Sequence, residues 1–376
     1  MKNVATNLLT THGLYESFYI ADLRVLNNKI QKWKTLLPHV TPYYAMKCNP
    51  DVELLRVMAD NGFGFDCASK KEIEIALSLS KDPTKIGFFH PVKTTQHLSF
   101  AYNSGVMHTS VDNLSELQKI SSITPNMKCL LRLKVDNPTA RVQLGKKYGA
   151  TLDECRELVD YAKYLNLDIV GTTFHVGSAS KDPSVFREGI RSSRDIFDYA
   201  KSKGFLDCHI LDVGGGFTSD NFEPCAKEIN ASTQDYFNDV SKLKVIAEPG
   251  RYFAEQVYTF FVSVMGYRKR NNIYQYWVKD GLYGSFNAII YDQQIPAFEV
   301  YRNPLLQEDV DENCLYDSEI MFETCDSCDK MEEKLMFPRL RIGDYLMVKN
   351  FGAYTLSAAT DFNGINMTKP KIFYLS

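Results

Sequence analysis

The sequence has no run that approaches the ~20 apolar residues of a membrane-spanning helix, which excludes an α-helical membrane protein. It has no Lys/Arg-rich stretch either, and a net charge of −3 with a pI near 6.2 leaves no basic footprint for nucleic acid. Met1 to Thr10 is polar and mixed, without the charged start and apolar stretch of a secretory signal, so a cytoplasmic protein is expected. Internal repeats, low-complexity segments and long linkers are missing too. The nine cysteines, an odd number, read as reduced thiols. Only Cys325 and Cys328 are closely spaced. A lone Cys-x-x-Cys could be half of a zinc site or a redox pair. No second pair or His pair accompanies it, and the flanking Asp326 and Asp329 suit neither use, so no metal is expected.

What is present is 376 residues with 44% hydrophobic content, enough for a large core and, by default, two domains. From residue 43, short β-rich runs alternate with amphipathic helical patterns. The runs are 43–46, 64–67, 85–89, 105–111, 129–135, 168–176, 209–213 and 244–248, and helices are expected at 70–80, 114–123, 152–165 and 183–203. Eight strands, each followed by a helix, predict a parallel (β/α)8 TIM barrel over 23–257. An open doubly wound sheet competes, and the count of eight favours closure. After residue 258 the helical period fades. Runs at 258–264, 273–278, 288–291, 345–348 and 371–375 read as antiparallel strands of an all-β domain over 258–376, Greek-key or sandwich-like. Residues 1–22 are expected to join it, because Ser17-Phe18-Tyr19-Ile20 is strand-like and precedes the barrel pattern.

Barrels carry their chemistry at the C-terminal ends of the strands. Here those ends hold Lys47, Asp66, His90, His175-Val176-Gly177-Ser178, Asp212 with Gly214-Gly215-Gly216, and Glu248-Pro249-Gly250-Arg251. Three successive glycines leave backbone N–H groups open to a phosphate, although such a run is about as often a plain tight turn. Arg251 at the next strand end adds a bidentate phosphate partner, and a phosphate site after strands 7 and 8 is recurrent in barrels. Lys47 is either a snorkelling surface lysine or a functional amine. A desolvated lysine gives up its proton readily and can form a Schiff base. Glu248 offers a carboxylate that can keep a pyridine nitrogen protonated. Together these three parts specify pyridoxal phosphate. His175 could be a satisfied core histidine, or its flat ring could stack on the cofactor.

The motifs Tyr44-Ala45-Met46-Lys47-Cys48-Asn49, Phe65-Asp66-Cys67-Ala68-Ser69, Phe174-His175-Val176-Gly177-Ser178 and Leu211-Asp212-Val213-Gly214-Gly215-Gly216-Phe217 occur in that order. After them come Ala247-Glu248-Pro249-Gly250-Arg251-Tyr252-Phe253, Tyr283-Gly284-Ser285-Phe286-Asn287, Cys325-Asp326-Ser327-Cys328-Asp329 and Gly352-Ala353-Tyr354-Thr355. The set resembles the fold-type III pyridoxal-phosphate decarboxylases, specifically the ornithine decarboxylase group, along nearly the whole chain. The resemblance implies an alanine-racemase-like barrel with a β-domain, and decarboxylation of L-ornithine to putrescine and CO2 in polyamine biosynthesis. It implies that Lys47 bonds the cofactor, that Asp66 and Glu72 support it, and that His175 stacks on the ring. Ser178, Gly214, Gly215, Gly216, Gly250, Arg251 and Tyr354 would hold the phosphate, and Glu248 would pair with the ring nitrogen. Cys325 would return a proton to Cα, while Tyr283, Asp292 and Asp326 would bind the substrate. It further implies a head-to-tail homodimer in which Cys325 and Asp326 serve the partner's site.

Two departures bear on the substrate. Gln143 stands where the group resembles itself in having Arg, with Arg141 two residues earlier. Phe322-Glu323-Thr324 replaces a common Gly-Pro turn before Cys325. A lysine/ornithine or arginine decarboxylase of the same family is the alternative, and lysine differs from ornithine by one methylene, worth only ~1–3 kcal/mol of discrimination. A non-catalytic regulator of the antizyme-inhibitor kind is the reading from another class. Such proteins lose several cofactor and substrate residues, whereas Lys47, Asp66, Arg251, Asp292, Cys325 and Asp326 are all kept.

Overall fold

Turns from strand to helix are fixed by side-chain oxygens. Asp51, Ser69, Thr94, Asn113 and Thr151 each sit in extended backbone and accept a hydrogen bond from an N–H two or three residues further on. They thereby satisfy donors that a first helical turn leaves open. Thr151 and Glu154 complete a reciprocal capping box. The computed structural model describes residues 1–13, 16–240, 242–365 and 370–376. These form two compact units, Met1–Asn28 with Phe253–Ser376, and Lys29–Tyr252.

Strand β1 (Phe18–Asp22) belongs to the first unit. The second unit contains β2 (Val40–Ala45), β3 (Gly64–Cys67), β4 (Ile86–Phe88), β5 (His108–Val111), β6 (Lys128–Leu133), β7 (Asp168–Phe174), β8 (Ile210–Asp212) and β9 (Lys244–Ala247). They pair in parallel and in order, and β9 pairs back onto β2 with Val40 opposite Val245. The sheet is therefore a closed barrel, and the open alternative is excluded. Tyr43, Phe89, Leu130, Val170, Ile210 and Ile246 form one buried cluster in it. Several strands are shorter than their apolar runs. The 168–176 run stops at Phe174, so His175 to Ser178 lies in the loop beyond the strand.

The other unit adds β10 (Tyr258–Arg270), β11 (Ile273–Val278), β12 (Phe298–Tyr301), β13 (Leu315–Met321), β14 (Leu335–Pro338), β15 (Tyr345–Val348) and β16 (Lys371–Leu375). The order is β12-β15-β10-β11-β13-β14, with β1 pairing both β10 and β16. Most pairs are antiparallel as expected; β1 with β16 and β11 with β13 are parallel. Ala5 and Leu9 of the helix Lys2–His12 join Phe18, Ile20, Phe261 and Met347 in its core.

One expected strand is corrected. Residues 288–291 lie in a short helix, Asn287–Tyr291. Its start is held by the Asn287 side-chain amide, which donates to the carbonyls of Gly284 and Thr355. That distant anchor overrides the strand preference of Ile289-Ile290-Tyr291. Among the described residues, no helix is long and apolar enough to cross a membrane.

Candidate active site

In the barrel unit, the β2–β3 register sets Ala45 beside Asp66, and the turn after β2 brings Lys47 Nζ to 3.1 Å from Asp66 Oδ2. Asp66 is buried, whereas the Lys47 side chain is 49% exposed. The partner of Lys47 is thus a buried carboxylate. Glu72, in the helix Lys70–Ser80, accepts the Ala68 N–H at 2.5 Å. Burial pushes its pKa up, nearby Asp66 adds to this, and Lys47 opposes it.

The glycine run follows β8. Gly214 has φ +65° and Gly216 φ +109°, both in the region that L side chains avoid. A Cβ on Gly214 would lie 1.9 Å from the Phe174 carbonyl, and one on Gly216 2.7 Å from the Gly177 carbonyl. The turn is therefore built around missing side chains. Among the described residues, the N–H groups of Gly215 and Gly216 have no protein acceptor. Beside this turn, Arg251 donates to Ser178 Oγ from Nη2 at 3.1 Å and Nε at 3.3 Å. Gly250 packs against Cys48, where a Cβ would come within 2.8 Å. Ser178, the glycine run, Gly250 and Arg251 thus meet in a cradle of open N–H groups and a guanidinium, which suits a phosphate.

His175 Nδ1 accepts the Gly177 N–H at 2.9 Å, and its Nε2 faces Gly215. Burial, then Arg132 and Lys47, hold the imidazole well below its ordinary pKa. The ring is neutral, with its proton on Nε2. Glu248 and Asp212 are both buried, and their carboxyls touch. Burial first pushes both upward, and Asp66 adds to the effect; Asp212 raises Glu248 further while Lys47 draws it down, and the hydrogen bond to Glu248 draws Asp212 down. Asp212 Oδ1 accepts the Gly214 N–H at 2.9 Å. Sequence reasoning noted Asp212 at a strand end but gave it no role. The parallel register of β8 and β9 is what sets it next to Glu248. His90 accepts the Val92 N–H through Nδ1 at 3.1 Å and makes none of these contacts. Gln143 lines a separate cavity of about 360 Å³ with Asp136, Asn137 and Lys146.

Tyr283, Asp292, Cys325, Asp326 and Tyr354 lie in the β unit. Tyr283 Oη donates to Asp326 Oδ2 at 2.6 Å. This bond holds Asp326 below the usual carboxylate range and pushes Tyr283 up to about 12. Both line a cavity of about 400 Å³ with Leu282, Tyr291, Cys328 and Phe362. Asp329, buried and also unassigned from sequence, joins the two loops that carry them. Its Oδ1 accepts the Leu282 N–H at 2.8 Å, and its Oδ2 accepts the Thr324 N–H at 2.9 Å and hydroxyl at 2.6 Å. Cys325 is exposed, and its N–H donates to Asn363 Oδ1. Asp292 is buried, accepts from Gln294 Nε2 at 2.7 Å and does not line the cavity. Tyr354 has φ +57°, a strained value for a tyrosine.

Residues 23–255 match the family described as pyridoxal-dependent decarboxylase, pyridoxal binding domain. The chain is 38% identical over 365 residues to the ornithine decarboxylase of Schizosaccharomyces pombe, covering 96% of this chain and 83% of that one. It is 34% identical over 370 residues to antizyme inhibitor 2 of Xenopus laevis, covering 94% and 80%. Among solved structures, the arginine decarboxylase of Paramecium bursaria Chlorella virus bound to agmatine matches with a TM-score of 0.92 at 36% identity, over all of both chains.

Proposed function

We propose, for a chain that belongs to the pyridoxal-dependent decarboxylases, that its substrate is L-ornithine, released as putrescine and CO2. The observation that carries this is Asp326, kept ionised by Tyr283 on the wall of a cavity otherwise lined largely by apolar and aromatic groups. Such a wall suits an alkyl chain ending in an ammonium. Relatives named ornithine decarboxylases, at 35–38% identity, support the same substrate. Asp292 is assigned to the substrate's distal end on resemblance alone.

The barrel residues fit pyridoxal phosphate, since the cradle excludes side chains and leaves the N–H groups of Gly215 and Gly216 open beside the Arg251 guanidinium. In this reading Ser178, Gly214, Gly215, Gly216, Gly250 and Arg251 hold the phosphate, with Tyr354 joining them. Lys47 supplies the amine, Asp66 orients it, His175 presents its flat face and Glu248 meets the ring nitrogen. Bound there, the cofactor supplies a ring that accepts the electron pair left when the Cα–carboxylate bond breaks. Cys325 returns the proton to Cα. Two copies associate, Cys325 and Asp326 of one serving the other, and sedimentation of the purified protein tests this.

The arginine decarboxylase of matching fold supports a second reading, in which the cavity takes a longer guanidinium chain. CO2 release with added pyridoxal phosphate, measured in parallel on L-ornithine, L-lysine and L-arginine, separates the two. Preference for ornithine is expected. Preference for arginine or lysine overturns the substrate and leaves the family intact. A purified protein that takes up no cofactor overturns the enzymatic reading in favour of a regulator.

A further inference from the structure

Asp212 is fully buried, and Glu248 is nearly so. One Asp212 oxygen is occupied by the Gly214 N–H, while the other, Oδ2, has no donor among the described residues. Two carboxylates in contact in such a place cannot both be ionised, and a buried acceptor left without a donor is costly. A single proton between them resolves both problems. We propose that Asp212 and Glu248 share one proton, so that Asp212 is a positioning residue holding the Glu248 carboxyl from behind and aiming its free oxygen at the cofactor ring. The inference rests on the role assigned above to Glu248, but the proton is a property of this chain alone.

The neighbouring groups agree. Asp66 faces the pair from β3 and adds negative charge, and Thr173 faces Asp212 from β7. Tyr43 feels Asp212 from β2, and its hydroxyl is pushed up to about 12, chiefly by burial. Lys47, the nearby cation, is already paired with Asp66 at 3.1 Å. Nothing in this set supplies a full positive charge to the pair, which leaves a proton as the means of neutralising it.

The test is infrared difference spectroscopy of the full-length cofactor-free protein near neutral pH, in the protonated-carboxyl band. Differences between variants remove the signal of other buried carboxyls such as Asp280 and Glu72. The band is expected in the wild type and is expected to vanish in both Asp212→Asn and Glu248→Gln, although each leaves one carboxyl in place. Loss on either substitution is the mark of a shared proton. A band that survives in Asp212→Asn overturns the proposal, as does its absence from the wild type. Pyridoxal phosphate affinity gives a second readout. Asn can still accept from Gly214 and donate to Glu248, so it should bind within about threefold of wild type, whereas Asp212→Ala should bind about tenfold or more weakly. Equal loss in the Asn and Ala variants overturns the positioning role. If Ala does not fold, the infrared comparison of wild type with Asp212→Asn and Glu248→Gln decides alone. None of these outcomes depends on which amino acid is decarboxylated.

Discussion

Replacing Lys47 with alanine should do two separable things. It removes the amine on which turnover depends, and it strands Asp66, which is 4% exposed. At 3.1 Å two unit charges interact by about 5 kcal/mol at an effective dielectric of 20. Half of the Lys47 side chain is open to solvent, so screening reduces this well below the ~3–5 kcal/mol of a fully buried pair, to about 2 kcal/mol. In a domain of this size that corresponds to a fall in Tm of roughly 4–8 °C. Calorimetry of the cofactor-free Lys47→Ala protein checks it. Pairing the change with Asp66→Asn should recover most of the loss, because the stranded charge is gone. Additive losses in the double variant would refute the argument that Asp66 is held by Lys47.

Asp326→Asn should raise KM for ornithine about tenfold or more with a smaller change in kcat, because it removes a charge-assisted contact to the substrate rather than to the ring. In Tyr283→Phe the bond that depresses Asp326 is lost. Substrate binding, present above the carboxylate's pKa and lost as pH falls through it, should then fail at a higher pH than in the wild type; KM measured against pH shows the shift. Nitrogen NMR should find His175 neutral with its proton on Nε2 from about pH 6 to pH 8, since a depressed imidazole charges only below that window. Gly214→Ala should lower stability by about 3 kcal/mol or more and abolish cofactor uptake. The positive φ alone costs about 1–2 kcal/mol, and the Phe174 carbonyl blocks the new methyl; calorimetry and cofactor titration measure both.

The barrel and the glycine turn after β8 could be read from the sequence because both are written locally. Five of the strand–helix turns carry their own caps, and Gly214 to Gly216 announce a backbone that no side chain could follow. The helix at Asn287 could not be read, because its anchor at Thr355 is far along the chain while its own residues favour a strand. Asp212 and Asp329 were visible as residues but not as partners. The first depends on the lateral register of β8 and β9, the second on a turn that folds Thr324 and Leu282 onto one carboxylate. Lys47 was visible at a strand end, but its exposure and its buried partner depend on how two strand ends adjoin.

Strand β1 is held between β10 and β16, so its pairing partners begin only at Tyr258 and end at Leu375. During synthesis from the N-terminus at about 5–20 residues per second, this strand leaves the ribosome roughly 10–50 s before β10 does. The barrel, whose eight strands are all made in between, can close during that wait. An apolar strand with unpaired edges is exposed to misassociation for the whole interval. Translation speed and chaperone supply should therefore govern the yield of this protein more through its first strand than through its barrel.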